Sequence, residues 1–339
     1  MNQSDDAPRP DAVLTAFGRT GTAVDMVAVE RAWSNRVFRL TTDDGLFAVK
    51  QLPNPWEYPH WREWLGESWQ FERRAYAAGV SMPGPIPNPQ DDGCLAWVET
   101  VDGSDVVPVR LHHWVEGTPA PLGPVEPLVA RWAGEVLATL HGFAIVPADR
   151  DLFPVPNTGI VEEWPDLVAA AHRHGASWAS LLGEHSSSVE IIADLARSAA
   201  LRPETEVMSH GDIDQKNIVL GGGPALCDWD VAAPVVPRQE LADVALSLAG
   251  WTNARVAGQV VAGYLDACGG AQLEFAPSDL GPSLMAGLDW LAFNVVRAIG
   301  TPPAEPAEVA LGDRLVLELL GALPGQVASA LRVEDFLMP

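Results

Sequence analysis

Basic residues are scarce in this sequence of 339 residues, which carries 21 Lys and Arg against 45 Asp and Glu, a formal net charge of −24. Contacts with nucleic-acid phosphates or an anionic membrane surface require clustered Lys and Arg. We therefore expect no nucleic acid and no membrane among the partners. A chain this acidic would instead tolerate or attract a cationic small molecule.

Cysteines and long apolar runs are also rare. Cys94, Cys227 and Cys268 lie far apart and show no zinc-type spacing, which predicts reduced thiols. No apolar run approaches the ~18 residues that a membrane span needs. The amino-terminal stretch MNQSDDAPRP is polar and acidic, unlike a signal peptide. We expect a cytoplasmic protein that is a monomer or a homodimer.

The pattern of the chain changes along its length. Residues 1–12 look like a disordered tail, and alternation between Val27 and Leu52 predicts three antiparallel strands. Helical periodicity follows at 61–79, and two more strands are expected before Gly117. The remainder predicts mainly helices, at 125–143, 188–200, 241–250, 255–268, 280–299 and 305–321. We expect an α+β fold with a β-rich N-lobe at 13–116 and a larger helical C-lobe at 117–339.

Lys50 lies inside the apolar strand sequence LFAVKQL. A buried lysine needs an anionic partner, because an unpaired buried charge is costly; a lysine that reaches the strand edge is the alternative. Glu72 lies on the apolar stripe of the following helix and is the expected partner. Glu63 and Glu67 are alternatives on a more polar stripe of that helix.

The segment HGDIDQKN places Asp212 five residues before Asn217 and ahead of the apolar run at 218–220. A surface turn would explain these letters equally well if they stood alone. Asp228 ends the apolar stretch ALCDWD, and a hairpin turning at GGGP would bring it beside Asn217. Carboxylate and carboxamide oxygens suit Mg²⁺, which also binds phosphate oxygens. Asp212 would then face a substrate hydroxyl as a base or as an orienting group.

The order of these groups, with a strand lysine and a helix glutamate before H-G-D-x-x-x-x-N and D-x-D, matches the parts of phosphoryl-transfer enzymes. At these residues the chain resembles the aminoglycoside phosphotransferase and choline kinase family, the small-molecule branch of the protein-kinase-like fold. HGDIDQKN is similar to the catalytic-loop motif of the family, and LCDWD to its metal-binding motif. The likeness runs from about residue 15 to residue 320.

The resemblance implies a role for each matching residue. Lys50 would hold the α- and β-phosphates of ATP or GTP, and Glu72 would orient Lys50. Asp212 would be the catalytic base, while Asn217 and Asp228 would bind Mg²⁺. His210 would be a structural member of the loop. The strand end at 112–115, including His113 and Val115, would form an interlobe hinge whose backbone reads the purine.

Some features depart from protein kinases. WSNRVF stands where a glycine-rich loop would lie, so Ser34 and Asn35 would cover the phosphates. Asp214 stands where protein kinases carry a lysine, which makes a protein substrate less favourable. The short interval between Asp230 and ELADVA leaves no room for an activation loop.

The helix LMAGLDWLAFNVVRAIG offers candidate acceptor contacts in Asp289, Trp290 and Asn294. Its residues would equally fit a core position for Trp290 and a surface position for Asp289. Together with Asp214 and Asp230, these groups predict a negative pocket that favours a cationic acceptor.

The sequence thus predicts a Mg²⁺-dependent phosphotransferase that acts on a hydroxyl of a small molecule. An antibiotic, such as an aminoglycoside or a nucleoside or peptide antibiotic, is the first expectation for the acceptor, in a resistance or self-resistance role. A metabolic kinase for choline, a sugar or homoserine is the alternative. A nucleotide-binding pseudokinase is a second alternative, which the intact candidate site makes less favourable.

Overall fold

The computed structural model describes residues 6–29, 35–52, 58–155, 157, 159–202, 204–270, 273–300 and 305–337. The chain divides into two compact units. The first comprises Met1–Ala120, Pro147–Pro154 and Met208–Pro234, and the second comprises Pro121–Val146, Val155–Val207 and Val235–Pro339. The first boundary lies close to the one expected at residue 116. The HGDIDQKN segment, however, groups with the amino-terminal part of the chain.

The strands of the described chain are short and belong mostly to the first unit. In chain order they are β1 (Ala23–Ala28), β2 (Arg36–Thr42), β3 (Leu46–Gln51), β4 (Pro85–Ile86), β5 (Ala96–Glu99), β6 (Val106–His113), β7 (Gly117–Pro119), β8 (Val207–Ser209), β9 (Ile218–Gly221), β10 (Pro224–Leu226) and β11 (Ala233–Val235).

The principal sheet is antiparallel and has the order β1-β2-β3-β6, with β4 and β5 both paired to β6. Three antiparallel strands are present as expected, but the first, Ala23–Ala28, lies mostly before the expected start at Val27. The register places Lys50 on the central strand β3, opposite Val37 on one side and Arg110 on the other. Lys50 and Arg110 are therefore neighbours across the sheet, within reach of shared partners.

A three-stranded sheet of order β10-β9-β7 carries the segment that follows the catalytic-loop motif. The hairpin expected between Asn217 and Asp228 is confirmed, because β9 and β10 pair with Leu226 opposite Ile218. A Cβ at Gly117 would lie 2.4 Å from the backbone oxygen of Leu220, so only glycine allows β7 to approach β9 this closely.

Helices make up most of the second unit. The helices of the described chain are α1 (Pro10–Ala16), α2 (Trp61–Ala77), α3 (Pro127–Gly142), α4 (Ile160–Arg173), α5 (Ala179–Glu184), α6 (Ser186–Ala200), α7 (Pro237–Leu248), α8 (Ala254–Ala267), α9 (Gly281–Ala298), α10 (Pro306–Ala330) and α11 (Glu334–Leu337). The sequence did not predict α4, which contains Pro165, or α5, which is too short to show a helical period.

The expectation of a disordered tail is wrong over residues 6–12. Helix α1 begins at Pro10, whose fixed φ suits the first helical turn. Ala7, Val13 and Leu14 are buried in the core beneath the principal sheet, and the backbone N–H of Arg9 donates to Glu99. Burial of these apolar side chains offsets the entropy of ordering a polar segment.

Helix α2 presents two faces, as its periodicity predicts. Leu65, Ser68 and Glu72 are buried, whereas Glu63 and Glu67 are exposed. Its Ser68 and Trp64 side chains both donate to the backbone oxygen of Ala232, at 2.9 Å. These bonds hold the helix against the segment that follows Asp228 and Asp230 in the first unit.

Two further expectations concern membranes and thiols. Among the described residues, no helix combines the length and apolar character needed to cross a membrane. All three cysteines are free, as their spacing predicts.

Candidate active site

Lys50 is the centre of a buried group of charges in the first unit. Its Nζ atom forms ion pairs with Asp228 and with Asp230. The Lys50 and Asp230 side chains are each only 10% exposed, whereas Asp228 is 33% exposed. The prediction that this strand lysine binds carboxylates is confirmed, but the carboxylates belong to the DWD sequence.

The expected ion pair between Lys50 and Glu72 is wrong in this structure. Glu72 is fully buried and binds Arg110 and His112, the latter through Oε1 and Nε2 at 2.8 Å. Arg110 also binds Asp230. Arg110, which lies opposite Lys50 in the sheet, therefore binds Glu72 in place of Lys50. Asp230 bridges Lys50 and Arg110. Glu63 and Glu67 are excluded as partners because both face solvent.

The charges of this group perturb one another strongly. Burial alone would lower the pKa of Lys50, but Asp228 and Asp230 reverse this effect and hold the pKa well above its usual range. Burial would raise the pKa of Asp230 and of Glu72, yet neighbouring cations lower both. Lys50 and Arg110 act on Asp230, and Arg110 and His112 act on Glu72. Lys50, Arg110, Asp230 and Glu72 are therefore charged at neutral pH.

Asp228 occupies a backbone conformation that is unusual for a residue other than glycine. Its φ and ψ angles are 67° and 59°, in the left-handed region. Aspartate tolerates this region better than most residues, and such conformations cluster at functional sites. The following Trp229 is buried and its indole N–H donates to the backbone oxygen of Leu226 at 3.0 Å. The carboxylates on either side of Trp229 both reach Lys50.

The catalytic-loop motif forms a second charged group in the same unit. Asn217 Nδ2 donates to Asp212 twice, to the backbone oxygen at 2.8 Å and to Oδ2 at 2.9 Å. Lys216 Nζ lies 2.8 Å from Asp212 Oδ1 and 2.6 Å from Asp214 Oδ2. Asp212 is thus fixed by one amide and one ammonium, and its side chain remains 35% exposed.

Asp214 faces Lys216. Its Oδ1 also accepts from the backbone N–H of Lys216 at 2.8 Å and caps the short 3₁₀ helix at Gln215–Asn217. Burial raises the pKa of Asp214, and Lys216 opposes the rise. Asp214 stands where protein kinases carry a lysine, and Lys216, two residues later, supplies the positive charge of this loop.

His210 and Gly211 fix the start of this loop. His210 is fully buried, with Nε2 donating to the backbone oxygen of Cys227 at 2.9 Å and its ring 4.7 Å from that of Trp229. Gly211 has a φ of 77°, and a Cβ there would lie 3.2 Å from the backbone oxygen of Val231. A larger residue at position 211 would be both strained and crowded.

Asn217 and Asp228 have oxygens that suit a divalent cation. The backbone N–H of Cys227 donates to the backbone oxygen of Asn217 at 2.8 Å across the hairpin. Asp228, the residue after Cys227, therefore lies close to Asn217. Within the described residues, Asn217 Oδ1 and Asp228 Oδ2 have no hydrogen-bond or ion-pair partner. The described chain has no cluster of three or more His, Cys, Asp or Glu for a metal. A Mg²⁺ ion here would therefore take further oxygens from phosphates and water.

The expected nucleotide contacts are described only in part. Ser34 lies outside the described residues, and Asn35 immediately precedes β2. The backbone N–H of His113 donates to Gly84, and that of Trp114 donates to Leu46. The N–H of Val115 has no partner in the described part of the chain. Val115 is thus the first residue after β6 whose N–H is left for a ligand.

The three acceptor candidates on α9 differ in their surroundings. Asp289 Oδ2 accepts from the backbone N–H of Asn157 at 2.7 Å. Trp290 stacks on Phe293 with a centroid distance of 5.4 Å, and Arg297 lies 5.1 Å from the Phe293 centroid. Burial raises the pKa of Asp289, with a further rise from Glu163 and an opposing effect of the Asn157 N–H.

Asn294 is fully buried and donates to the backbone oxygen of Trp290 at 2.8 Å. Its position within the helix packing does not fit the expected role as an acceptor contact. The helical period placed Asn294 on the same stripe as Trp290, but period alone does not say which side of a helix faces the core.

The expected negative pocket is not supported by the contacts of its members. Asp214 binds Lys216, and Asp230 binds Lys50 and Arg110. Asp289 accepts a hydrogen bond from the backbone N–H of Asn157. Sequence reasoning missed Lys216 and Arg110. Lys216 was visible within the motif, four residues after Asp212, whereas Arg110 could be found only from the register of β3 and β6.

Comparisons with known proteins agree with this architecture. No curated protein sequence matches the chain. Among solved structures, a spectinomycin phosphotransferase bound to ADP and spectinomycin aligns with a TM-score of 0.63 at 10% identity, covering 96% of this chain and 97% of that one. An amicoumacin kinase in complex with AMP-PNP, Ca²⁺ and Ami aligns with a TM-score of 0.57 at 11% identity, over 87% of this chain and 88% of that one.

An aminoglycoside phosphotransferase from Alicyclobacillus acidocaldarius gives a TM-score of 0.54 at 15% identity, over 91% of this chain and 94% of that one. At these identities the likeness shows the fold alone, and it confirms the expected α+β, protein-kinase-like class. A sequence profile described as the phosphotransferase enzyme family matches residues 25–275. That match covers most of the chain and includes every member of both charged groups, so the protein belongs to the phosphotransferase enzyme family.

Proposed function

We propose that the protein transfers the γ-phosphoryl group of ATP or GTP to a hydroxyl of a small molecule. The observation that carries this proposal is the hydrogen-bonded unit of Asp212, Asn217 and the hairpin to Asp228. It sets the partly exposed carboxylate of Asp212 beside two oxygens that suit Mg²⁺, Asn217 Oδ1 and Asp228 Oδ2, while Lys50 binds the other carboxylate oxygen of Asp228. Family membership supports the reaction class.

Each group has a separate task in the proposed reaction. Lys50 would turn from Asp228 to the nucleotide phosphates, while the N–H of Val115 would contact the purine. Asn217 and Asp228 would hold Mg²⁺, which would neutralise charge on the phosphate oxygens. These residues position the reactants and stabilise charge, and they form no covalent bond with the substrate.

Asp212 would orient the acceptor hydroxyl and take its proton. The hydroxyl oxygen forms a bond to the γ-phosphorus, the bond from that phosphorus to the bridging oxygen breaks, and the nucleoside diphosphate leaves with the electron pair. A carboxylate has about four lone-pair positions. Asp212 can therefore bind Lys216 and Asn217 and still accept a hydrogen bond from a substrate.

The proposed acceptor is a hydroxylated antibiotic, and the proposed role is resistance or self-resistance. Two structures with the same fold contain a small molecule beside the nucleotide, spectinomycin in a spectinomycin phosphotransferase and Ami in an amicoumacin kinase, which supports this choice. Asp289 and Trp290 are proposed acceptor contacts. A cationic acceptor is not favoured by the charges described above, because Asp214 and Asp230 are already paired with cations.

Mass spectrometry tests this function directly. The protein is incubated with ATP or GTP, Mg²⁺ and a panel of hydroxylated antibiotics and metabolites, and each product is inspected for the gain of one phosphate. We expect phosphorylation of an antibiotic by the native protein and none by Asp212→Asn. Phosphorylation of choline, a sugar or homoserine alone would favour the metabolic alternative. Nucleotide binding without phosphorylation of any compound would favour the pseudokinase.

A further inference from the structure

The buried charges around Lys50 form a continuous chain through the first unit. Lys50 binds Asp230, Asp230 binds Arg110, and Arg110 binds Glu72. His112 closes the far end by binding the second oxygen of Glu72 at 2.8 Å. Lys50, Asp230, Arg110 and Glu72 will be called the charge relay. Its order follows from the register of the sheet, which sets Arg110 directly opposite Lys50.

Asp230 is the only carboxylate that touches both cations among the described residues. Its Oδ2 binds Lys50 and its Oδ1 binds Arg110. Arg110 is 1% exposed and Glu72 is fully buried, so neither can change partner without a large cost in unpaired buried charge. Asp228, in contrast, is more exposed and uses one oxygen on Lys50. It is free to turn toward a cation when a nucleotide binds.

We propose that Asp230 is the residue that positions Lys50, and that Arg110 and Glu72 act on Lys50 only through Asp230. This inference rests on the proposed function, in which Lys50 contacts the nucleotide phosphates. When Asp228 is withdrawn toward Mg²⁺, Asp230 retains Lys50 in place. Asp230, the second aspartate of the DWD sequence, thus positions the phosphate-binding Lys50. Neither Asp230 nor Glu72 touches the substrate.

The local fold supports this assignment. Trp229 between the two aspartates is 2% exposed and packs near Phe71 on α2, with ring centroids 6.3 Å apart. The bonds from Trp64 and Ser68 to Ala232 fix the other end of the segment. Asp230 is therefore held from both sides, as a positioning residue must be.

Double-mutant cycles in kcat test the proposal, with the best acceptor from the panel or with water as acceptor. We expect Asp230→Asn to lower kcat by ~10²-fold, the scale for one preorganised charge contact, with little change in the KM of the nucleotide. Asp230→Asn should add less than threefold to the loss in Lys50→Met. It should add its full loss to Asp212→Asn, because Asp212 does not act through Lys50. Additive losses in the Lys50→Met background would overturn the proposal.

A second cycle separates Asp230 from Glu72. In the Arg110→Met background, Glu72→Gln should cause no further loss of kcat, because its connection to Asp230 is already broken. A full loss in that background would mean that Glu72 reaches Lys50 directly, and the proposal would be wrong. If Arg110→Met does not fold, as judged by circular dichroism, Glu72→Gln is combined with Asp230→Asn. The pair should be no slower than Asp230→Asn alone.

A magnesium titration distinguishes positioning from metal binding. The Mg²⁺ concentration for half-maximal rate should stay unchanged in Asp230→Asn and rise in the matched variant Asp228→Asn. A rise in Asp230→Asn would make Asp230 a metal ligand and reject the positioning role. If the native protein turns over no acceptor, including water, the proposed function fails. Turnover by the native protein without the expected coupling rejects this inference alone.

Discussion

Two triplets of the same form, Asp212-Ile213-Asp214 and Asp228-Trp229-Asp230, lie in the first unit, and each has one lysine between its carboxylates. In both, the middle residue is buried, with Ile213 at 4% and Trp229 at 2% exposure. In both, a lysine bridges the two carboxylates that flank the buried residue, although the backbone differs, because Asp228 is left-handed and Trp229–Val231 forms a short 3₁₀ helix.

The triplets differ in where their cation comes from and in how much water reaches it. Lys216 belongs to the same loop as its aspartates and is 38% exposed. Lys50 comes from a distant strand, is 10% exposed, and depends on the remaining members of the charge relay. Surface ion pairs are weak and screened by salt, whereas breaking a buried pair is costly. We infer that the loop triplet tolerates changes that the buried triplet does not.

The largest loss is expected in the buried triplet. Asp228→Ala should abolish turnover, because it removes both an oxygen donor for Mg²⁺ and a charge beside Lys50. Asn217→Ala should do somewhat less damage, since it removes a neutral donor. Excess chelator should likewise stop the native protein. Rates are measured at saturating Mg²⁺, where near-normal turnover of Asp228→Ala would refute the metal assignment.

Asp212→Asn should lower kcat by ~10²-fold or more, the usual scale for a general base. The change keeps the shape of the side chain and should leave nucleotide binding intact. Calorimetric titration with ADP measures binding, and steady-state kinetics measures kcat. A folded variant that loses nucleotide affinity instead would place Asp212 on the phosphates.

Acid should weaken the far end of the charge relay. Because Arg110 and His112 hold the pKa of Glu72 below its value of ~4.3 in an unfolded chain, its stabilisation is complete above that pH. It is lost as pH falls through the folded pKa. At neutral pH we expect Glu72→Gln to lose ~1–3 kcal/mol in free energy of unfolding. This difference in stability between the native protein and the variant should narrow below pH ~4. Denaturant unfolding at several pH values measures the stability difference, with Glu67→Gln, at an exposed position, as control. A stability difference that widens in acid would contradict the prediction.

The smallest effect is expected in the exposed triplet. Lys216→Met should lower kcat by ~10-fold, because Asp212 and Asp214 then repel each other, and Lys216→Arg should restore most of the loss. The loss should shrink between ~0.01 M and ~1 M KCl, over which the Debye length falls from ~30 Å to ~3 Å. A loss of kcat that does not depend on salt would mean that Lys216 contacts the phosphoryl group or stabilises the loop structure. Lys216 would then not act by screening the two carboxylates.

Much of the fold and part of the site could be predicted from the sequence. Alternation in the first strands, the two faces of α2, and the hairpin between Asn217 and Asp228 arise from local periodicity and turn residues. The contact of Asn217 with Asp212 is local in the same sense. The partner of Glu72 was not predictable, because it depends on which residue of β6 lies opposite Lys50. A strand register is set by the whole sheet. The same limit explains Asn294, whose burial depends on how α9 packs.

The bonds from His210 and Asn217 to the hairpin have a consequence for hydrogen exchange. The Cys227 N–H donates to Asn217, and the Cys227 oxygen accepts from His210. Both ends of the HGDIDQKN segment are therefore tied to one residue, Cys227, which directly follows β10. Segments joined in this way open together as one cooperative unit. The amide protons of Cys227 and Asn217 should therefore show the same protection from exchange with solvent. Asp212, Asn217 and Asp228 would then lose their native positions in one opening event.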